Sequence, residues 1–343
     1  MTRAVAVLMG GRSSEHDVSL ASAEAVIAAL DPSRFTVTPV LISREGAWSV
    51  EGTPVAIVPG TDGIARLQPL DGGDAMPLDV VFPVLHGPHG EDGTVQGALE
   101  TAGIPYVGAG VAASAVAMDK ALFKTFLRQA GIPTPEHAVV TAAEWARDPA
   151  AVRARIAEHP GYPAFSKPAR LGSSVGISPV PDAGALDAAL DLAFVHDGKA
   201  LVERAIRGRE VEVGVLDGPE PIASPVGEIT FDAEWYDYAT KYEPGRSRVE
   251  VPADLPPEVA SRAREMALRA FAAVDCAGLA RVDFFVTEDG EVLLSELNTM
   301  PGFTPTSVYA RLLEAAGVPY DELVGRLVDL GVDRAAEARR YRC

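Results

Sequence analysis

A chain of 343 residues is long enough for two or three compact lobes around a shared cleft and too long for one small module. Its 30 Lys+Arg against 48 Asp+Glu leave a formal charge of -18, which repels polyphosphate backbones and argues against nucleic-acid binding, so any phosphate site must be local. No run reaches the roughly 20 uncharged apolar residues of a membrane span, and Cys276 and Cys343 have neither metal-ligand spacing nor a disulfide framework.

Met1-Thr2-Arg3 leads into the apolar run Ala4 to Met9 and then Gly10-Gly11, a buried strand entering a turn rather than a cleavable leader, which points to a cytoplasmic address. Strands are expected over 3–9, 36–42 and 79–85 and helices over 18–30 and 94–102, the alternation of an open, parallel α/β lobe that fills 1–118. Gly10-Gly11-Arg12-Ser13-Ser14 lacks the G-x-G-x-x-G spacing of a dinucleotide fold. Segment 45–77 receives no role. A small central α+β lobe over 119–204 starts with a helix at 120–130 and carries the loop Leu171-Gly172-Ser173-Ser174-Val175-Gly176. A third, α+β lobe over 205–333 has strands at 210–216 and 228–231, a polar aromatic loop at 235–248, a helix at 256–273 and a hairpin at 280–298. The charged tail 334–343 is expected to fray.

The hairpin is the most informative segment. Asp289-Gly290 signals a two-residue turn that pairs Glu288 with Glu291 and therefore sets Asp283 opposite Glu296 and Arg281 opposite Asn298. Period-two alternation puts all four side chains on one face. Facing carboxylates destabilise a sheet unless a cation lies between them, and Asp, Glu and Asn are the hard oxygen donors Mg²⁺ prefers. The bland alternative is a solvated polar face.

Phosphate contacts need cations and backbone N–H groups. Lys167 ends an apolar run and the Gly172 to Gly176 loop follows, so the two could share a triphosphate, although each alone is as easily an ordinary surface lysine or turn. The strand 201–206, with Glu203, Arg204, Ala205 and Ile206, is either a plain linker or a crossover presenting backbone groups to an adenine edge, with Glu210 placed for ribose hydroxyls. Ser13 to Asp17 sits where helix caps sit. His86 follows a strand's carboxyl end, where open α/β sheets place ligands, yet a lone histidine is commonly structural. Three tyrosines and a lysine in 236–242 suggest a lid.

Along nearly the whole chain the residues resemble the D-alanine-D-alanine ligases of the ATP-grasp superfamily. The matching segments are Gly10-Gly11-Arg12-Ser13-Ser14-Glu15-His16-Asp17-Val18-Ser19, Leu85-His86-Gly87, Gly90-Glu91-Asp92-Gly93, Met118-Asp119-Lys120, Lys167-Pro168, Gly172-Ser173-Ser174-Val175-Gly176, Tyr236-Asp237-Tyr238 with Lys241-Tyr242, Arg281-Val282-Asp283, and Glu296-Leu297-Asn298-Thr299-Met300-Pro301-Gly302. The opening segment narrows the resemblance from the superfamily to the dipeptide ligases.

The resemblance implies an ATP-grasp region over about 124–329, with ATP and two Mg²⁺, or Mn²⁺, serving the joining of two D-alanines for peptidoglycan synthesis. Lys120, Lys167, Ser173, Ser174 and Lys241 would meet the ATP phosphates, Glu203, Arg204, Ala205 and Ile206 the adenine, and Glu210 the ribose. Asp283, Glu296 and Asn298 would hold metal. Glu15 would bind the first ammonium, linked through Tyr242 to Ser173, while Arg281 and Gly302 form the oxyanion site. Ser307 and Val308 would receive the second carboxylate, with His86 and Tyr236 lining the pocket. Arg204-Ala205 departs from the lysine and aromatic common in the family. A homodimer is implied as well. The rivals are a D-alanyl-D-lactate or D-alanyl-D-serine ligase, against whose lactate form the Lys241-Tyr242 pair speaks, a nucleotide sensor without turnover, and an NAD-dependent oxidoreductase.

Overall fold

The computed structural model describes residues 2–59, 65–231 and 247–341. The expected loop residues Tyr236, Lys241 and Tyr242 lie outside the described residues. Three sheets organise the chain.

The first sheet has seven strands in the order β6-β5-β4-β3-β2-β1-β7. Its parallel centre is β1 (Arg3–Gly10), flanked by β2 (Phe35–Ile42) and β7 (Val80–Pro83). β1 is an almost unbroken apolar run, with Val5, Ala6, Val7 and Leu8 all buried, as befits a strand covered on both faces. The segment left without a role supplies β3 (Trp48–Val50), β4 (Thr53–Val58), β5 (Arg66–Pro69) and β6 (Met76–Pro77), which extend the sheet antiparallel from β2.

A second sheet, ordered β10-β9-β11-β8, comprises β8 (His137–Thr141), β9 (Ala164–Pro168), β10 (Ser178–Val180) and β11 (Lys199–Arg204), and it packs its own core around Val140, Ile156 and Leu190. The third is six-stranded: β12 (Gly208–Leu216), β13 (Ile222–Ala223), β14 (Gly227–Phe231), β15 (Ser247–Glu250), β16 (Leu279–Thr287) and β17 (Val292–Asn298). β12 pairs with β16 along its whole length, and β16 with β17.

The helix Lys120–Gln129 bridges the second and third sheets. Asp119 caps it by accepting from the N–H groups of Ala121 and Leu122 at 3.1 Å. Phe123 and Leu127 join Met266 and Phe271 of the helix Pro257–Ala273 in the core beneath β12, β16 and β17. A further core is common to the first and third sheets: Val5, Val7 and Phe82 pack with Leu216, Met300, Phe303 and Tyr309 and with Leu323 and Leu327 of the helix Tyr320–Ala338. Burial of this kind contributes roughly 1.5–3 kcal/mol per large side chain.

Two expectations are corrected here. The segment expected to fray from 334 is helical through Ala338; Arg334 lies over the Tyr106 ring, 4.3 Å from its centroid, and donates to the carbonyls of Gly108 and Tyr106, so the helix end is tied down. The hairpin turn is longer than two residues: Thr287 and Glu291 close it, and Gly290 takes the left-handed conformation (φ 81°) that ends such turns. Val286 therefore pairs with Val292 and Phe284 with Leu294, one residue off the expected register. A bulge at Ser295 then takes up the extra residue, which restores Asp283 to Glu296 and Arg281 to Asn298. The expected pairing at the site is thus reached by two offsets that cancel. Among the described residues no helix is long and apolar enough to cross a membrane.

Candidate active site

The carboxyl end of β1, the loops after β7 and β9, the far end of β16–β17 and the start of the helix Val308–Ala315 meet around a cleft of about 1000 Å³. Glu15, His86, Lys120, Ser173, Arg281, Glu296, Asn298, Gly302, Ser307 and Val308 all line it. The sheet architecture explains their convergence. Strands β1 and β7 are parallel and discharge their loops at one edge, whereas antiparallel β16 and β17 bring Arg281 and Asn298 to adjacent positions.

On the N-terminal side, Ser173 donates to Glu15 Oε1 at 2.5 Å, joining residues 158 apart in sequence. Ser173 and Ser174 are both in left-handed conformations (φ 52° and 58°), which side chains rarely adopt and which loops at binding sites tolerate. Gly87 matters for the same reason: a Cβ there would lie 2.5 Å from Glu15 Oε2, so only glycine lets the His86 loop approach the carboxylate. Removing the Ser173 hydroxyl takes away a charge-assisted bond worth about 1.5–3 kcal/mol. Ser173→Ala is therefore expected to weaken ligand binding in this cleft roughly 10- to 100-fold, read by calorimetry; an unchanged affinity would reduce the contact to loop packing.

His86 lies between Ser22 and Met300: Nδ1 is 2.8 Å from the Met300 carbonyl and Nε2 3.1 Å from the Ser22 hydroxyl. Burial depresses its pKa, so the ring is neutral, donating at Nδ1 and accepting at Nε2. Glu91 holds the other side of the same residue, accepting from the Met300 N–H at 3.0 Å, and also accepts from the Gly87 N–H at 2.7 Å. Together they fix the chain two residues before Gly302.

Burial, aided by the Glu15 charge, pushes the Glu91 carboxyl up to about 8, against the two N–H donors and Arg281. A carboxyl raised in the folded state above its ordinary 4.5 contributes stability in full below that value and loses it as pH rises through about 8. The stability gap between the native protein and Glu91→Gln is expected to move against the native protein from pH 5 to pH 8. Urea unfolding across that range measures it, and a gap independent of pH would contradict the raised pKa.

On the third sheet, Glu212, Asp283 and Glu296 lie in one row across β12, β16 and β17. Period-two burial along β16 sends Val282 and Phe284 into the core and Arg281 and Asp283 to the opposite face. Arg281 grips Asp283 with two bonds of 2.8 and 2.7 Å and reaches Glu212 at 3.1 Å, while Lys120 lies 3.4 Å from Glu296. Burial alone would lower the Arg281 pKa; the carboxylates Asp283 and Glu212 drive it well above its ordinary value, so the guanidinium is permanently charged. The chain's own cations thus answer part of the repulsion in this row.

The donor set nevertheless suits a hard divalent cation: two carboxylates and an amide, all oxygen donors, with Glu296 and Asn298 facing the cleft and Asn298 bonded to Asp283 at 3.1 Å. Among the described residues there is no metal-binding cluster of three or more His, Cys, Asp or Glu.

Lys167, Glu203, Arg204, Ala205, Ile206 and Glu210 form a second group outside the cleft lining, on β9, β11, the connection after it and the start of β12. Lys167 Nζ meets Glu203 Oε1 at 2.6 Å, and Glu203 is 2% exposed. Burial opposes ionisation of Glu203, but Lys124 and Lys167 overcome it and hold the carboxyl down at about 2. Burial likewise opposes charge on Lys167, and Glu203, Glu296 and Glu210 more than restore it. The Arg204 side chain turns away to Glu136 at 2.9 Å and to the Pro160 carbonyl, and the N–H groups of Arg204 and Ala205 bond to Glu136 and Pro163 carbonyls. Three polar residues received no role from the sequence: Lys124, Glu91 and Glu212. Glu91 sits inside a quoted motif, and Glu212 is two positions from Glu210 on one strand face. Lys124 shares the stripe of Ala121 and Leu127 that faces inward, while Leu122 and Phe126 face out.

Family models described as D-ala D-ala ligase N-terminus and D-ala D-ala ligase C-terminus match residues 4–109 and 126–329. A D-alanine--D-alanine ligase of Deinococcus radiodurans is 53% identical, with 97% of this chain and 99% of the relative covered. One of Geobacillus kaustophilus is 46% identical, covering 98% and 96%. Among solved structures, the D-alanine-D-alanine ligase from Coxiella burnetii superposes with a TM-score of 0.88 at 35% identity, over 99% of this chain and 96% of the other. The VanG D-Ala:D-Ser ligase from Enterococcus faecalis superposes with a TM-score of 0.87 at 34% identity, over 96% and 100%.

Proposed function

The chain belongs to the D-alanine-D-alanine ligase family, with its ATP-grasp fold, and on that premise we propose the residues by which its cleft makes D-alanyl-D-alanine from two D-alanines and ATP through an acyl phosphate, for peptidoglycan precursors. The observation that carries the assignment is the Glu15–Ser173 bond set across one cleft from Arg281, Glu296 and Asn298. An ammonium holder, a phosphate loop and an oxyanion cation face the same space.

In this reading Glu15 holds the ammonium of the first D-alanine, whose carboxylate oxygen attacks the γ-phosphorus of ATP as ADP departs. Lys120, Lys167, Lys241, Ser173 and Ser174 meet the phosphates, the chain from Glu203 to Ile206 meets adenine, and Glu210 the ribose. Asp283, Glu296 and Asn298 would hold two Mg²⁺ or Mn²⁺, whose chemistry is neutralisation of phosphate charge. The second D-alanine, its carboxylate received by Ser307 and the Val308 N–H, attacks the acyl carbon with its amine. Arg281 and the Gly302 N–H then stabilise the tetrahedral oxyanion until phosphate leaves with the C–O bond electrons. His86 lines the substrate space; by the family resemblance Tyr236 would join it and Tyr242 would bond to Glu15 and Ser173, which are already joined to each other directly. We propose further that lobes divide at 118/119 and 204/205, and that the protein is a cytoplasmic homodimer.

Phosphate release from ATP with D-alanine, L-alanine, D-lactate or D-serine tests the substrate class. D-alanine alone should suffice for turnover. D-alanine turning over only when D-serine or D-lactate is added would replace this reading with that of a mixed ligase.

A further inference from the structure

Lys124 is 1% exposed, on the inward stripe of the helix Lys120–Gln129. A buried ammonium is costly unless each of its three N–H donors is met. Here each is: Glu203 Oε2 at 2.8 Å, Thr134 Oγ1 at 2.8 Å and the Ser295 carbonyl at 3.3 Å. These partners come from β11, from the segment before β8 and from β17, so the contact pins the second sheet to the third. The opposite oxygen of Glu203 holds Lys167. The result is a row of alternating charge, Lys124, Glu203, Lys167, in which Lys124 is held by three partners.

We propose that Lys124 is a positioning residue for ATP: it keeps Glu203 neutralised and fixed, so that Lys167 can turn from Glu203 to a phosphate oxygen without leaving a bare carboxylate in the interior. Stripping a buried carboxylate of its last cation is strongly unfavourable. With Lys124 gone, that penalty would anchor Lys167 on Glu203 and withdraw it from the nucleotide. The inference rests on the reading of Lys167 as a phosphate ligand.

Three variants, Lys124→Met, Lys167→Met and the double variant, test it through the KM values for ATP and D-alanine and through ADP and adenosine binding by calorimetry. Lys124→Met should raise the ATP KM about 10- to 100-fold and weaken ADP more than adenosine. It should leave the D-alanine KM within about twofold and cost ATP nothing further in the Lys167→Met background. Adding Glu203→Gln to Lys124→Met should restore the ADP-to-adenosine affinity ratio, because the buried anion that traps Lys167 is gone; this arm also serves if Lys124→Met alone folds poorly. Additive losses in the double variant, or equal losses for ADP and adenosine, would overturn the proposal and leave Lys124 a packing residue. An ATP KM and ADP affinity unchanged in Lys167→Met would instead overturn the phosphate role of Lys167, which the other arms do not address.

Discussion

Arg281→Lys is expected to fold and still bind ATP, yet to form dipeptide about 10²- to 10³-fold more slowly. The charge is retained in this variant. What is lost is the planar fork, which grips both oxygens of Asp283 at 2.8 and 2.7 Å while reaching Glu212 at 3.1 Å. A lysine ammonium is a point charge on a flexible stem and cannot hold that geometry while also presenting a donor to an oxyanion. Keeping one positive charge among Glu212, Asp283 and Glu296 protects the fold, since Glu212 is buried and depriving a buried carboxylate of its cation costs about 3–5 kcal/mol. Dipeptide formation and thermal unfolding measured on one preparation separate the two effects. A folded Arg281→Lys enzyme with near-native turnover would remove Arg281 from the oxyanion site.

Glu296→Gln should be equally severe, lowering turnover on the order of 10²-fold or more while the protein remains folded. Glu296 faces the cleft, opposite Asp283 in register and 3.4 Å from Lys120. The amide is the same size and keeps one oxygen donor, but it removes the charge that a divalent cation would share with Asp283. Several kcal/mol of transition-state stabilisation depend on that charge. The dependence of rate on added Mg²⁺ distinguishes the causes. A variant whose residual activity needs much more Mg²⁺ has lost a ligand, whereas near-normal Mg²⁺-dependent turnover would sink the metal assignment.

The sequence alone determined the central strands of the first sheet, the β16–β17 hairpin and most of the cleft residues, because the signals involved are local or strictly periodic; the strands of 48–77 were not legible in it. Apolar runs fixed by burial on both faces mark β1 and β7, and alternation along 280–287 sets Arg281 and Asp283 on the polar face of β16. The motif around Glu15 and the loop at Ser173 could be recognised separately, but the 2.5 Å bond between them spans 158 positions and follows from how the lobes dock. The hairpin register shows the limit of local reasoning. Turn length and bulge each shift pairing by one residue, and only their cancellation, set by packing of Phe284 and Leu294 into the core, puts Asp283 against Glu296.

What tertiary structure decided is where the charges are spent. Nothing in the composition of KALFKTFLRQ distinguishes Lys124 from Lys120, yet one is enclosed by Glu203, Thr134 and Ser295 and the other opens on the cleft. Glu91 and His86 hold the N–H and the carbonyl of one residue more than 200 positions away, Met300, and Glu212 joins the carboxylate row because β12 pairs with β16 in a register no turn connects. The C-terminal helix follows the same logic: its charged end looks frayed in isolation, but Arg334 finds carbonyls at Tyr106 and Gly108. Local patterns set which residues can be buried or paired, and long-range partners decide which of them are, since the cost of burying a charge depends on the groups that surround it in space.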